Sequence, residues 1–193
     1  PDYYAVTVMN HILGAGGFSS RLMDSIRDKQ GLAYGIMSHY DARMLPGSFW
    51  VNLQTRTEAT NQAIAGVLTE IKAIRDSPVS DQELSEAKSF LMGSFPLRLD
   101  STAKLAQVLA QVEYYGLGFE YFSQYQKWIE RVTKDDVQRV AKQYLDPQRY
   151  ALVVVGNVAK AKVIGHVASP VSACWVPPKN SRCVLSEKSK PKL

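Results

Sequence analysis

The sequence predicts an α+β fold in which helices are the majority. Three observations carry that reading. Apolar residues recur at helical spacing through most of the chain. Two β-type runs flank a Pro-Gly turn, and a short unbroken apolar run, YALVVV, lies late in the sequence. At 193 residues, 46% hydrophobic and 21% charged, the chain has the size and composition of one globular domain.

Tyr3 to Leu13 places Tyr4, Val8 and Ile12 on one helical face, and Gly14-Ala15-Gly16-Gly17 stops that helix. Ser19 or Ser20 is expected to cap the next helix, which carries Leu22, Met23 and Ile26 and runs to about Lys29. Gly31 suits the left-handed position past a helix end. Ala33 to Arg43 reads as a strand, Pro46-Gly47 as a turn and Ser48 to Thr55 as its hairpin partner. A helix follows over about Glu58 to Arg75, with Ala63, Val67, Ile71 and Ile74 on its buried stripe. Ser80-Asp81-Gln82-Glu83 is a capping box opening a helix that reaches the region of Pro96. Ser101 caps an Ala/Leu/Val-rich helix up to Val112, Tyr121 to Arg131 is another, and Thr133 caps a last one that ends before Pro147. Tyr150 to Val155 reads as a buried strand closed by Gly156-Asn157. The aromatic cluster Tyr114, Tyr115, Phe119, Tyr121, Phe122, Tyr125 and Trp128, spaced as on helices, reads as core packing rather than a ligand box.

Periodicity ends after Ala168, so residues 1–168 are expected to form the domain and residues 169–193 a poorly ordered extension. That extension holds Cys174, Cys183 and four prolines, and carries +4 of the net charge of +5. A near-neutral body with a basic end gives no folded footprint for nucleic acid. No window is apolar enough for a membrane span, and the first residues lack a secretory signal pattern. The compartment is left open; a bacterial cytoplasm or periplasm fits.

Several chemistries are disfavoured. Gly14, Gly16 and Gly17 follow a helix rather than a strand, and no GxxxxGK[ST] is present, which argues against phosphate cradling. The glycines instead permit a tight turn close to another backbone. His11, His39 and His166 have no metal-ligand spacing, two cysteines nine apart make no zinc module, and no GxSxG elbow exists. No metal ligand is assigned in this chain.

The informative stretch is Gly14 to Tyr34, GAGGFSSRLMDSIRDKQGLAY. It resembles the glycine-rich segment and arginine–tyrosine motif in the C-terminal, non-zinc half of insulinase/pitrilysin-type metallopeptidases, the family of the mitochondrial processing peptidases. Arg27 and Tyr34 match that motif at its seven-residue spacing, and weaker similarity runs through SFWVNLQT to YALVVVGN. Ala15 and Gln30 depart from the common pattern. Relatives carry a further strand ahead of PDYYAV, so the domain is expected to lack its first strand.

The resemblance implies a mostly antiparallel sheet covered on one face by helices. It implies Arg27 and Tyr34 as catalytic residues that contact a peptide carbonyl, with Gly14, Gly16, Gly17 and Phe18 as the substrate loop. The partners implied are a peptide substrate and an HxxEH-bearing domain or subunit, which would hold the zinc; a homo-oligomer is open as well. This chain lacks HxxEH and is expected to be inactive alone. Independently of the family, Arg27 in a last helical turn and Tyr34 at a strand start can aim a guanidinium and a phenol into one cleft. The competing reading leaves Arg27 at the helix C-terminus and Tyr34 packed in the sheet. A silent scaffold subunit of the same family is the alternative function.

Overall fold

The computed structural model describes residues 2–45, 47–156, 160 and 163, and the backbone of Cys174–Trp175 and Val184–Leu185. Helix α1 (Tyr3–Asn10) buries Ala5, Val6, Val8 and Met9, then widens into a π-type turn over His11–Ala15. A single 3-10 turn, Gly17–Ser19, leads into a second helical segment that is π-wound over Met23–Lys29. Strands β1 (Ala33–Asp41) and β2 (Ser48–Thr55) pair antiparallel, from Ala33↔Thr55 to Asp41↔Ser48. Five helices follow: α2 (Thr60–Asp76), α3 (Asp81–Ser94), α4 (Thr102–Tyr114), α5 (Glu120–Glu130) and α6 (Lys134–Tyr144). Two-residue strands β3 (Cys174–Trp175) and β4 (Val184–Leu185) also pair antiparallel. The α+β class therefore stands. The expected turn at Pro46-Gly47 falls partly on Pro46, outside the described residues, as do Asn157, His166 and most of residues 169–193.

The helices gather on one face of the β1–β2 pair. Ala33, Ile36 and Ser38 point into the core, while Tyr34, Met37 and Trp50 are exposed on the other side. The core runs from Leu13, Leu22 and Ile26 near β1 to Tyr125, Ile129, Val137 and Val140 near the last helices. Local signals formed as expected at three helix starts. Ser80 and Glu83 close a capping box, with Glu83 N donating to Ser80 Oγ (3.1 Å) and Ser80 N donating to Glu83 Oε2 (2.8 Å). Thr133 and Asp136 do the same for α6, and Ser101 Oγ accepts from Lys104 N.

Three expectations need correction. Ser20 does precede the second helical segment, but its hydroxyl donates to Gly17 O (2.7 Å) instead of accepting a helix N–H. Ser19 likewise donates to Gly16 O, because the tight 3-10 turn leaves those carbonyls within reach. Helix α4 joins the core through Val112, with Val108 packed against it, while Leu105 and Leu109 are exposed. The aromatic cluster is divided. Tyr121 and Tyr125 are buried, and Phe122 and Trp128 pack against them, whereas Tyr114, Tyr115 and Phe119 are exposed around the left-handed Gly116 and Gly118. Finally, residues 150–155 are neither strand nor buried: Val153 and Val155 lie open to solvent, and no ladder pairs them among the described residues. An apolar run becomes a strand only when a neighbour accepts its hydrogen bonds.

Candidate functional site

The glycine loop sits where α1 meets β1. A Cβ on Gly14 would lie 2.5 Å from Ser38 Oγ and 2.7 Å from Ser38 N, so only glycine lets the π-type turn rest on the strand. Ser38 is itself buried and donates to Asn10 Oδ1 at 2.7 Å, fixing β1 to the end of α1. Gly16 is similarly crowded by the carbonyl of His11. Gly17, at φ 64°, has open space around its Cα and turns the chain outward. Phe18 follows at the tip, 73% exposed.

Arg27 lies in the last turn of the second helical segment, and its guanidinium stands over the Phe18 ring, 4.9 Å from the centroid. Nη1 also donates weakly to Asp28 Oδ1 at 3.4 Å. The segment ends at Gly31 (φ 61°), whose N–H donates to Arg27 O while Leu32 N reaches back to Ile26 O, both at 2.9 Å. This left-handed cap reverses the chain into β1 as expected. The helical segment is tied to α3 by a two-pronged ion pair. Arg21 Nε and Nη2 donate to Glu83 Oε1 and Oε2 at 2.6 and 3.0 Å. The Arg21 guanidinium, helped by the Ser80 cap, holds the Glu83 carboxyl down to about 2.

Tyr34 is placed by a feature that sequence reasoning missed. The register steps from Ala33↔Thr55 to Gly35↔Gln54, which leaves Tyr34 as the extra residue of a β-bulge. Ala33 and Ile36, three apart, both point inward, which regular alternation forbids. The bulge throws Tyr34 outward at 85% exposure, and among the described residues its hydroxyl has no hydrogen-bond partner. The packed-tyrosine reading does not describe this side chain. Met37 and the His39–Trp50 stack (5.1 Å between centroids) continue the same uncovered sheet face, with Asn52 and Gln54 alongside on β2.

The structure thus joins Phe18 of the loop to Arg27 and puts Tyr34 one chain reversal away on the open face. The two π-type turns that bracket the loop were also not anticipated; such turns are frequent at functional sites. Among the described residues no cluster of three or more His, Cys, Asp or Glu could hold a metal. His11 is buried against Phe90, where desolvation lowers its pKa, and His39 is stacked on Trp50. These residues do not fit a zinc ion, and no step is assigned to one here.

Residues 1–91 match the family model described as the peptidase M16 inactive domain. A crystal structure of such a domain from Pseudomonas fluorescens superposes with a TM-score of 0.70 at 32% identity, covering 76% of this chain and 35% of that one. Over this stretch the chain is similar to the M16 peptidase family. It is 31% identical over 154 residues to an uncharacterized zinc protease of Streptomyces coelicolor, covering 79% of this chain and 33% of that protein. A Helicobacter pylori protein named a non-peptidase homolog matches at 28% over 155 residues, 80% of this chain and 36% of that protein. The chain therefore spans about a third of the length of the curated relatives it matches. The insulinase/pitrilysin resemblance drawn from Gly14 to Tyr34 agrees with these matches, and the chain corresponds to the inactive, C-terminal half of zinc protease-like proteins.

Proposed function

We propose that this chain is the substrate-facing, metal-free half of a two-half zinc endopeptidase. In this reading Tyr34 and Arg27 address the peptide carbonyl across from a zinc held by an HxxEH-bearing domain or subunit. The observation that carries it is the bulge, which displays Tyr34, its hydroxyl without a hydrogen-bond partner among the described residues, beside the chain reversal that ends the Arg27 helix. A phenol supplies a neutral O–H donor and a guanidinium a permanent charge with fixed donors. Both suit an oxygen on which negative charge develops. The open face formed by Met37, Trp50, Asn52 and Gln54 offers a mixed apolar and amide wall for extended peptide. Phe18 holds Arg27 and so acts as a positioning residue.

The test is reconstitution. The chain is mixed with an HxxEH-bearing half from the same genome, and complex formation, zinc content and hydrolysis of unfolded peptides are followed. The proposal expects a stable complex whose zinc belongs to the partner, with hydrolysis only when both halves are present. Full hydrolysis by the partner alone would refute it. One observation favours a second reading, a silent scaffold: the Helicobacter pylori relative is named a non-peptidase homolog. In that case the complex would form and hydrolyse nothing.

A further inference from the structure

A cavity of about 510 Å3 lies at the end of β1 remote from Tyr34, walled by α1, α4 and the start of α5. Its inner wall is aromatic: Tyr4 meets Trp128 and Tyr121 meets Tyr125, at 5.0 and 5.9 Å between centroids. Tyr3 and Tyr40, 6.4 Å apart, complete the lining on the α1 and β1 side. Val108 and Val112 of α4 supply an aliphatic wall.

The polar groups of this lining are unbalanced. Arg98, at the end of the 3-10 turn Phe95–Arg98, lays its guanidinium over the Tyr125 ring, 5.4 Å from the centroid. Among the described residues no carboxylate pairs with it. Asp41, the one acid in the described lining, is already held by Arg43 at 2.6 Å. The hydroxyls of Tyr4, Tyr40 and Tyr121 likewise meet no acceptor among the described residues. Burial pushes all three phenols up, Tyr121 to about 12, so at neutral pH they remain O–H donors.

A cation and three O–H donors that border one space and have no acceptor of their own are complementary to an oxyanion. The charge matches a monoanion. A phosphate dianion would keep one negative charge uncompensated beside Asp41. The planar guanidinium receives a carboxylate two-pronged, and the tyrosine rings with the two valines receive a flat apolar body. The volume lies within the range of small-molecule sites.

We propose that this cavity binds a small aromatic monocarboxylate, its carboxylate held by Arg98 and the phenol hydroxyls and its ring packed between the tyrosines of α1 and α5. The ligand would tie α1 and α5 to α4, which meets the hairpin here through Tyr115 Oη donating to Ala42 O at 3.2 Å. Neither Arg27 nor Tyr34 lines the cavity, so the inference stands or falls apart from the proposed activity.

The test is an NMR titration of the full chain with phenylacetate, its neutral amide phenylacetamide, acetate and inorganic phosphate. Phenylacetate is expected to saturate with a dissociation constant of about 1 mM or below, as suits so small a ligand, with shifts centred on Arg98, Tyr4 and Tyr121. The other three should bind about tenfold more weakly or worse, since each lacks either the charge-matched carboxylate or the ring. Arg98→Gln should weaken phenylacetate about tenfold or more. Tyr121→Phe, which keeps the ring and its packing, should weaken it about threefold or more. If Arg98→Gln fails to fold, Tyr121→Phe decides. Equal affinity for acid and amide, phosphate as tight as phenylacetate, undiminished binding by Tyr121→Phe, or no saturation overturns the proposal. Shifts centred on Arg27 and Tyr34 also overturn it and assign the ligand to the proposed active site.

Discussion

Replacing Glu83 by glutamine keeps the shape and the Ser80 cap but removes the charge that faces Arg21. The pair is two-pronged, at 2.6 and 3.0 Å, with side chains only 19% and 30% exposed. Glu83 is held down to about 2, against 4.5 for an ordinary glutamate. At about 1.4 kcal/mol per tenfold change, that gap would be worth about 3 kcal/mol in a dry site. Water at the exposed edges screens it to about 1–2 kcal/mol, or a drop of roughly 3–7 °C in Tm for a chain of this size. The sign follows from the direction. A carboxyl whose folded pKa is depressed adds stability that is complete above its unfolded value and lost as pH falls through the folded one. Thermal melts of the two proteins should therefore differ most near pH 7, and the difference should shrink by more than half by pH 3. Equal melts at pH 7, or a gap that does not change with pH, would refute the role given to this pair.

Gly14→Ala forces a methyl against the Ser38 backbone and should cost about 1–3 kcal/mol, seen as a Tm lower by several degrees; an unchanged melt would remove the close approach. Phe18→Ala deprives Arg27 of its aromatic support, worth about 0.5–1 kcal/mol, and should lower hydrolysis by the assembled protein roughly two- to fivefold without altering Tm. Ending the chain at Ala168 removes most of the net charge and little periodic apolar sequence; the melt should stay within a degree or two, and a large drop would make residues 169–193 part of the core.

What could be read from the sequence was local. The boxes Ser80/Glu83 and Thr133/Asp136 close within four residues, and Gly31 needs only its own φ, so each was legible before any tertiary structure. Two β runs around one turn likewise announced the hairpin. The unread features depend on distant partners. The exposure of Leu105 and Leu109 on α4 reflects what fails to cover them, which the helix's own Ala and Leu content does not encode. Residues 150–155 pair with no strand among the described residues, which their apolar run alone does not reveal. The bulge at Tyr34 exists only in the register between β1 and β2, and the Phe18–Arg27 contact joins a loop to a helix end. The family motif singled out Arg27 and Tyr34; the register between β1 and β2 explains why Tyr34 faces outward.

The most direct test of the central claim is the turnover of Tyr34→Phe in the reconstituted two-half protein. The substitution removes one oxygen and keeps the ring, on a side chain 85% exposed, so folding and assembly should be untouched. If the hydroxyl serves the reacting carbonyl, kcat should fall by about one to three orders of magnitude, with little change in KM. Full turnover by Tyr34→Phe in an intact complex would contradict the account and leave Tyr34 without a catalytic role.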